Sequence, residues 1–434
     1  MSALADKIES CCFPSYVYTY PPTRAFRPTD EFSLWEAVFT DPINLYIHIP
    51  FCNQKCTFCG YLTYIDRKQE LFDRYVDCII AEMRMYAQTL RYRTIESVNF
   101  GGGTPSLLSI AHFERIMTAL LEINPRLMET AKEISIEATP ESIYEHKIHA
   151  LKKMGFNRVS IGIQSFDDTE IAQSGRHNSE ATTRTALDAL MGIEMPNVCC
   201  DLMYGLRGQT VDTWYDSLRN LLHYRPQTIE LYATVTIPGT PLARTTSDVM
   251  SPADKYYCYE YAREALLSAG YVHDCHLRFV LPGTGFYQQQ KNVFAGQSLI
   301  GLGVGARTYA CNMHYRNEYD ARDSARALMR YMEAIETDRL AVTSKVILRR
   351  EEVLRRDVIY GIELLDEAGF LAKHQIDVND VFGEELAELA ALELIERRDS
   401  VITMTPRGLK YRDLIANRFF SPEVAADEED YWRK

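Results

Sequence analysis

Short apolar runs alternate with longer amphipathic stretches along most of the chain, and this order constrains the fold more than any other feature. Strands that alternate with helices form βαβ units, whose parallel strands build a sheet covered by helices. Strands are predicted over residues 44–49, 97–100, 133–137, 158–163, 197–202, 228–235 and 271–276, and helices over 70–90, 110–122, 142–154 and 211–222. We therefore expect an α/β fold whose parallel sheet is open or curled into a barrel.

The two ends of the 434-residue chain depart from this pattern. Residues 1–43 are rich in aromatic residues and proline, which predicts an arm lying over the body of the protein. From about residue 346 the pattern becomes mostly helical, with a helix predicted over 386–397, a strand over 401–405 and a further helix opened by Pro406. This order indicates a small winged-helix-like lid. The predicted division is therefore an arm (1–43), a barrel domain with its extension (44–345) and a C-terminal domain (346–434).

Charge and hydropathy exclude several classes of function. The formal net charge is −13, from 47 basic and 60 acidic residues, which argues against a general nucleic-acid binder because such affinity depends on phosphate neutralisation. No run of 18 apolar residues predicts a membrane span. The first residues lack the basic flank and apolar centre of a signal peptide, so we expect a cytoplasmic protein.

Three of the eleven cysteines share a short spacing. Cys52, Cys56 and Cys59 form a Cys-x3-Cys-x2-Cys pattern directly after the first predicted strand. Soft thiolates grouped in this way select zinc or an iron–sulfur cluster. A closed zinc site needs a fourth ligand, for which His48 is the nearest candidate, whereas three ligands suit a [4Fe–4S] cluster with one open iron.

Five sequence strings carry a resemblance to a known family. They are YIHIPFCNQKCTFCGY (46–61), NFGGGTPS (99–106), SIEATPE (135–141), RVSIGIQSF (158–166) and DLMYGL (201–206). In this order they resemble the HemN-like branch of the radical S-adenosylmethionine (SAM) enzymes. The strings RRDVIYGI (355–362) and TPRGLKYRDLIANRFF (405–420) are similar to the C-terminal domain of that branch. The resemblance implies a partial (β/α)6 TIM-like barrel with a mostly helical, winged-helix-like C-terminal domain.

The same resemblance implies roles for individual residues. Cys52, Cys56 and Cys59 would hold three irons of a [4Fe–4S] cluster, and SAM would bind the fourth. Tyr46, Gly102 and Glu137 would contact this SAM. The positions that would bind a second SAM molecule are Phe58, Gly103, Thr104, Gln164, Arg176 and Asp201.

Two departures from the family patterns bear on the reaction. Tyr61 stands where coproporphyrinogen dehydrogenases have a further cysteine, and residues 289–294 read QQKNVF where HemW haem chaperones have a haem-binding histidine. The chain therefore looks most like a class C radical SAM methyltransferase. Such an enzyme would use two SAM molecules to methylate, methylenate or cyclopropanate an sp2 carbon of an aromatic or conjugated substrate, such as a quinone or a heteroaromatic metabolite.

The substrate, the catalytic base and the oligomeric state cannot be predicted from these patterns. We expect electrons to come from a donor such as flavodoxin or ferredoxin. The alternative functions are the oxidative decarboxylation of a porphyrinogen propionate, as in oxygen-independent coproporphyrinogen III dehydrogenases, and haem delivery by a HemW-like chaperone.

Overall fold

Parallel strands form the centre of one large mixed sheet in the computed structural model, which describes residues 3–10, 16–66, 68–244 and 249–432. Six strands, β2 and β5 to β9, lie side by side in chain order and pair in parallel. The strands are β1 Arg27–Pro28, β2 Ile43–Ile49, β3 Phe51–Cys52, β4 Tyr64–Ile65, β5 Ile95–Gly102, β6 Glu133–Ala138, β7 Arg158–Gln164, β8 Asn197–Tyr204, β9 Thr228–Ala233, β10 Val272–Cys275, β11 Arg278–Val280, β12 Ser298–Leu302, β13 Arg307–Tyr309, β14 Met313–Asn317, β15 Val342–Ile347, β16 Leu364–Asp366, β17 Ile395–Arg398 and β18 Val401–Met404.

Each of the six parallel strands is followed by a helix that packs on the sheet. The helices are α1 Ala3–Glu9, α2 Gln69–Met85, α3 Ala87–Leu90, α4 Ile110–Ile123, α5 Leu127–Thr130, α6 Glu145–Lys153, α7 Asp168–Gln173, α8 Glu180–Gly192, α9 Val211–Tyr224, α10 Pro252–Ser268, α11 Gln288–Phe294, α12 Ser324–Glu336, α13 Arg350–Gly361, α14 Glu367–His374, α15 Val378–Ala391, α16 Pro406–Lys410, α17 Arg412–Arg418 and α18 Pro422–Trp432. The predicted α/β fold with a partial (β/α)6 barrel is confirmed. No helix among the described residues is long and apolar enough to cross a membrane.

Further strands extend the sheet on both sides of the parallel centre. On one side β12 pairs in parallel with β2, and β13, β14 and β15 then continue in antiparallel order. On the other side β11 and β10 add an antiparallel pair to β9. In the described chain the two outer strands of this sheet are β1 and β10, so the barrel stays open.

The C-terminal part contains a separate three-stranded sheet with the order β16–β18–β17, surrounded by helices. This arrangement agrees with the predicted winged-helix-like architecture. The helix predicted over 386–397 is wrong at its end, because α15 stops at Ala391 and Ile395–Arg398 forms strand β17. Glu393 adopts a left-handed φ of 57°, which ends helical geometry and redirects the chain into the sheet.

The N-terminal arm packs on the C-terminal part. The backbone N–H of Val17 donates to Asp413 at 2.9 Å, and that of Tyr20 donates to the Tyr360 hydroxyl at 3.0 Å. Residues of the arm and of the C-terminal part share one hydrophobic core, distinct from the core under the large sheet. The division at 43/44 and 345/346 stays a prediction, and residues 1–2 and 11–15 of the predicted arm lie outside the described part.

A charged cluster joins the barrel to the C-terminal part. His276 Nδ1 lies 2.9 Å from Glu363 Oε1, and its Nε2 lies 3.5 Å from Asp413 Oδ2. Burial opposes the charged form of this imidazole, but Asp413 and Glu363 outweigh burial and hold the pKa of His276 well above its usual value.

Candidate functional site

The cysteine loop lies at the carboxyl end of β2. Cys52 is the last residue of β3 and is buried, while Cys56 and Cys59 are half-buried in the turn that follows. The N–H of Thr57 donates to the Ser174 carbonyl at 2.9 Å, and its own carbonyl accepts from the N–H of Leu242 at 3.0 Å. Two distant loops of the barrel therefore hold the cysteine loop in place.

The spacing of the three thiols fits a cluster better than a single ion. Their sulfur atoms do not all lie within 4.8 Å of one another, whereas one tetrahedral zinc would hold sulfurs about 3.8 Å apart. Burial raises the pKa of Cys52 to about 12 and that of Cys59 to about 11, so thiolates form here only when a cation replaces the protons. The zinc alternative with His48 is not supported by this geometry.

His48 instead supports the glycine turn. Its Nδ1 lies 3.2 Å from the Tyr46 hydroxyl, and its ring lies where a side chain on Gly102 would be, 2.6 Å from the position of that Cβ. Burial, followed by two nearby arginines, lowers the pKa of His48 to about 3, so the imidazole is neutral.

The glycine turn Gly101–Gly103 lies directly against the cysteine loop. Gly102 has φ +120°, a conformation that favours glycine. A Cβ on Gly103 would lie 2.6 Å from the Phe51 carbonyl oxygen and 2.9 Å from the sulfur of Cys52. The hydroxyl of the next residue, Thr104, donates to the same sulfur at 3.5 Å.

Tyr46 and Glu137 converge on this turn from two strands. Glu137 Oε2 accepts from the N–H of Gly102 at 2.9 Å. A Cβ on Gly101 would lie 2.6 Å from the Tyr46 ring and 2.7 Å from Glu137 Oε1. Burial raises the pKa of Glu137 to about 7, which leaves this carboxyl poised between its two states near neutral pH.

The residues predicted to bind a second SAM molecule line the same edge, on neighbouring strands and loops. Gln164 ends β7 with a left-handed φ of 70°, and its Oε1 is buried without a hydrogen-bond partner among the described residues. Arg176 is held by the Gly162 carbonyl at 2.6 Å and by Asn178 at 2.9 Å, with Nη1 3.9 Å from the sulfur of Cys56.

Asp201 and Phe58 complete this predicted set. The side chain of Asp201, on β8, accepts from Ser160 at 3.2 Å, and burial followed by repulsion from Glu230 raises its pKa well above the usual value. Phe58 is half-buried between two of the cysteines. These residues thus lie on neighbouring strands and loops, and the contact of Arg176 with Cys56 joins the set to the cysteine loop.

Sequence analysis missed two arginines near this site. Arg307 on β13 and Arg316 on β14 are direct neighbours in the antiparallel register. A Cβ on Gly301 would clash with the Arg307 carbonyl oxygen, and Gly301 is the register neighbour of Tyr46, so β13 lies one strand beyond the strand that pairs with Tyr46. The signal available in the sequence was the position of Arg307, immediately after the glycine-rich segment 301–306. It was not used because the antiparallel extension of the sheet was not predicted.

Comparison with known proteins agrees with the geometry. Residues 46–221 match the family model described as "Radical SAM superfamily". The heme chaperone HemW of Lactococcus lactis is 24% identical over 394 residues, which cover 88% of this chain and 98% of that protein. The oxygen-independent coproporphyrinogen III oxidase of Salmonella typhimurium is 27% identical over 386 residues, which cover 85% of this chain and 82% of that protein.

A solved structure extends this likeness to the whole fold. Coproporphyrinogen III oxidase (HemN) from Escherichia coli superposes with a TM-score of 0.80 at 25% identity, covering 93% of this chain and 96% of that one. The chain therefore has the fold of the radical SAM proteins, a class named for its use of SAM. Over most of its length it is similar to the HemN-like proteins of that class.

The predicted methyltransferase function is wrong. Relatives that match most of this chain's length are named oxidases and heme chaperones, and the structure that matches over 93% of the chain is an oxidase. Neither Tyr61 nor the changed segment at 289–294 excludes an oxidase or a heme chaperone on its own. Tyr61 is a single position and 289–294 is a short helix, within a fold that is otherwise shared.

Proposed function

We propose that this chain is a radical SAM enzyme that oxidatively decarboxylates a propionate side chain of a porphyrinogen, as the name of its oxidase relatives indicates. The observation that carries the proposal is the continuous site formed by the cysteine loop, the glycine turn and Glu137. This site lies within a fold that matches the oxidase over 93% of the chain.

The residues of the site have distinct proposed roles. Cys52, Cys56 and Cys59 hold the cluster, which when bound and reduced supplies the electron that cleaves SAM to a 5′-deoxyadenosyl radical. Gly102 has no side chain of its own, and we assign its backbone to SAM contact on the side that the His48 ring leaves free. Glu137 accepts hydrogen bonds from ribose hydroxyls through Oε1, since Oε2 already binds the turn. The Tyr46 hydroxyl borders the same space.

A second SAM molecule remains part of the proposal. Gln164 presents a buried carbonyl oxygen without a described partner, and Asp201 faces the same edge from the next strand. Arg176, Phe58, Gly103 and Thr104 connect these positions to the cysteine loop. The contacts that Arg176 already makes to Gly162 and Asn178 hold its guanidinium in place before any ligand arrives.

The helix α11 favours an enzyme over a haem chaperone. It occupies the segment where the chaperone pattern has a histidine, and its polar residues serve the fold instead. Gln289 donates to the Leu45 carbonyl at 2.8 Å, and Asn292 donates to Asn44 at 2.8 Å. Both side chains are buried, so this helix offers neither of them as a haem ligand.

The arm and the C-terminal part act together in this proposal. The Tyr16 hydroxyl donates to the carbonyl of Ala233, the last residue of β9, at 3.1 Å, so the arm reaches the edge of the sheet where the site lies. We propose that the arm and residues 346–434 exclude water and oxygen from the radical, and that flavodoxin or ferredoxin supplies the electron.

The direct test uses anaerobically reconstituted protein with reductant, SAM, coproporphyrinogen III and a one-electron acceptor, because the substrate radical left after hydrogen abstraction must lose an electron as carbon dioxide leaves. Vinyl products that have lost carbon dioxide should form together with 5′-deoxyadenosine, and Cys52→Ala should abolish both. Formation of 5′-deoxyadenosine without any change in the porphyrinogen would exclude this substrate. Tight binding and transfer of haem without SAM cleavage would favour the chaperone instead.

A further inference from the structure

Arg307 and Arg316 form a cationic pair without a carboxylate partner. They are opposite each other in the register of β13 and β14, and both side chains are half-buried. Among the described residues no carboxylate oxygen lies within 4.0 Å of either guanidinium. Because each guanidinium offers only hydrogen-bond donors, the pair needs an acceptor that also carries negative charge.

The surroundings of the pair do not neutralise it. The Arg316 guanidinium stacks on the Tyr319 ring, 3.1 Å from its centroid, and its Nε is buried without a described hydrogen-bond partner. Burial, with a further contribution from Arg307, lowers the pKa of Arg316 to about 10. Tyr309, followed by Tyr61 and Tyr46, outweighs burial and raises the pKa of Arg307, so this guanidinium stays charged, but a neutral phenol brings no negative charge of its own.

A second buried arginine pair in the same barrel shows the difference. Arg158 and Arg278 also approach each other, but they share one carboxylate. Glu230 Oε1 lies 2.8 Å from Arg278 Nε and 3.4 Å from Arg158 Nη2. Glu230 therefore supplies the negative charge for Arg158 and Arg278. The pair Arg307 and Arg316 has no such carboxylate among the described residues, and we call it the incomplete pair.

The incomplete pair lies next to the proposed reaction site. Tyr46 and His48 form the near side of that site, since the His48 ring contacts the Tyr46 hydroxyl and the glycine turn. Strand β12 links the two regions directly, because Gly301 is the register neighbour of Tyr46 and the chain reaches Arg307 six residues later. A ligand held by the arginines would therefore lie one strand away from Tyr46.

We propose that Arg307 and Arg316 bind a carboxylate of the substrate, in the position that Glu230 occupies in the other pair. The inference rests on the proposed function and deepens it. The substrate carries a carboxylate that is held in place, in addition to the propionate that reacts. Guanidiniums bind carboxylates through paired, charge-assisted hydrogen bonds, which fix orientation as well as position.

The test compares Arg316→Gln and Arg307→Gln with Arg316→Lys and with the exposed control Arg398→Gln. The probes are coproporphyrin III, which does not react, and its uncharged tetramethyl ester. Each Gln variant should weaken binding of the acid about 10- to 100-fold and leave binding of the ester unchanged. Arg316→Lys should recover part of the affinity, because it keeps the charge and loses the paired geometry.

Three results would overturn the assignment. An equal loss for acid and ester would show that the arginine acts through packing. Unchanged binding of the acid in both Gln variants would show that the pair does not contact it. A parallel loss of SAM affinity, measured on the reconstituted protein, would assign the pair to the carboxylate of SAM.

The proposed function and this inference can fail separately. If the native protein converts coproporphyrinogen III and Arg316→Gln does so with unchanged KM, only the inference is wrong. If the native protein does not bind coproporphyrin III, the proposed substrate is wrong. The dicarboxylate glutarate then tests whether the arginine pair binds a carboxylate at all. Glutarate should then raise the melting temperature of the native protein and not that of Arg316→Gln, and an equal or absent effect would refute the carboxylate site.

Discussion

Replacing Glu137 with glutamine tests the SAM side of the site, because burial raises the pKa of this carboxyl from 4.5 to about 7. Only the ionised form offers all of its lone pairs to ribose hydroxyls. With a pKa of about 7 the ionised fraction falls from about nine-tenths at pH 8 to about one-tenth at pH 6. The dissociation constant for SAM should therefore rise about tenfold between these pH values, whereas an ordinary carboxyl would leave it almost unchanged.

The assay is equilibrium binding of labelled SAM to the oxidised, cluster-loaded protein at pH 6, 7 and 8. Glu137→Gln should bind SAM about 10- to 100-fold more weakly at pH 8, since one charge-assisted contact is lost. SAM itself titrates identically in the experiments with the native protein and with Glu137→Gln. The ratio of the two dissociation constants therefore reports on Glu137 alone, and this ratio should decrease toward pH 6. The exposed Glu122→Gln variant is the matched control. A ratio that does not change with pH would refute the role of the carboxylate.

Three further predictions concern the cluster and the link to the C-terminal part. Cys52→Ala should lose cluster iron in an iron assay, while Cys200→Ala should keep it because that core thiol is not part of the cysteine loop. Gly103→Ala should lower the iron content, because its Cβ would lie 2.6 Å from a carbonyl oxygen, whereas a Cβ on Gly192 meets nothing within 4 Å and Gly192→Ala should leave iron unchanged. The pKa of His276 is higher in the folded protein than in the unfolded chain, so its protonated form stabilises the fold fully below about pH 6.5. This stabilisation is lost as the pH rises through the pKa of His276 in the folded protein. His276→Gln should remove that loss in denaturant titrations across pH.

The parallel strands and the cysteine loop were predictable because each depends on local pattern. Apolar runs predicted both ends of all six parallel strands to within two residues, since buried parallel strands are continuous in hydrophobicity. The spacing of Cys52, Cys56 and Cys59 predicted a metal centre, since three ligands within eight residues need only one loop. The error at residues 395–398 has a local cause as well, because the left-handed turn at Glu393 has no glycine to mark it.

The arginine pair was not predictable in the same way. Arg307 and Arg316 are nine residues apart in the sequence, and only the pairing of β13 with β14 places them side by side. The absence of a carboxylate near them depends on the whole fold, since acids from any element could have approached. The reaction was also wrongly predicted. Two local departures, at Tyr61 and at 289–294, were given more weight than a likeness that extends over most of the chain.

The residues proposed to bind the cluster and SAM lie in one part of the sheet, and the arginine pair proposed to bind the substrate lies in another. This separation bears on substrate specificity. The cysteine loop follows β2, and the glycine turn and Glu137 belong to β5 and β6, so all three lie at the six parallel strands. The arginine pair belongs to the antiparallel extension β13–β14, outside those units. Tyr61, which replaces a cysteine of the coproporphyrinogen dehydrogenase pattern, is close enough for Arg307 to influence its pKa. Tyr61 and the arginine pair are therefore neighbours. Residues at this position could select the substrate without any change in the residues proposed to bind the cluster and SAM.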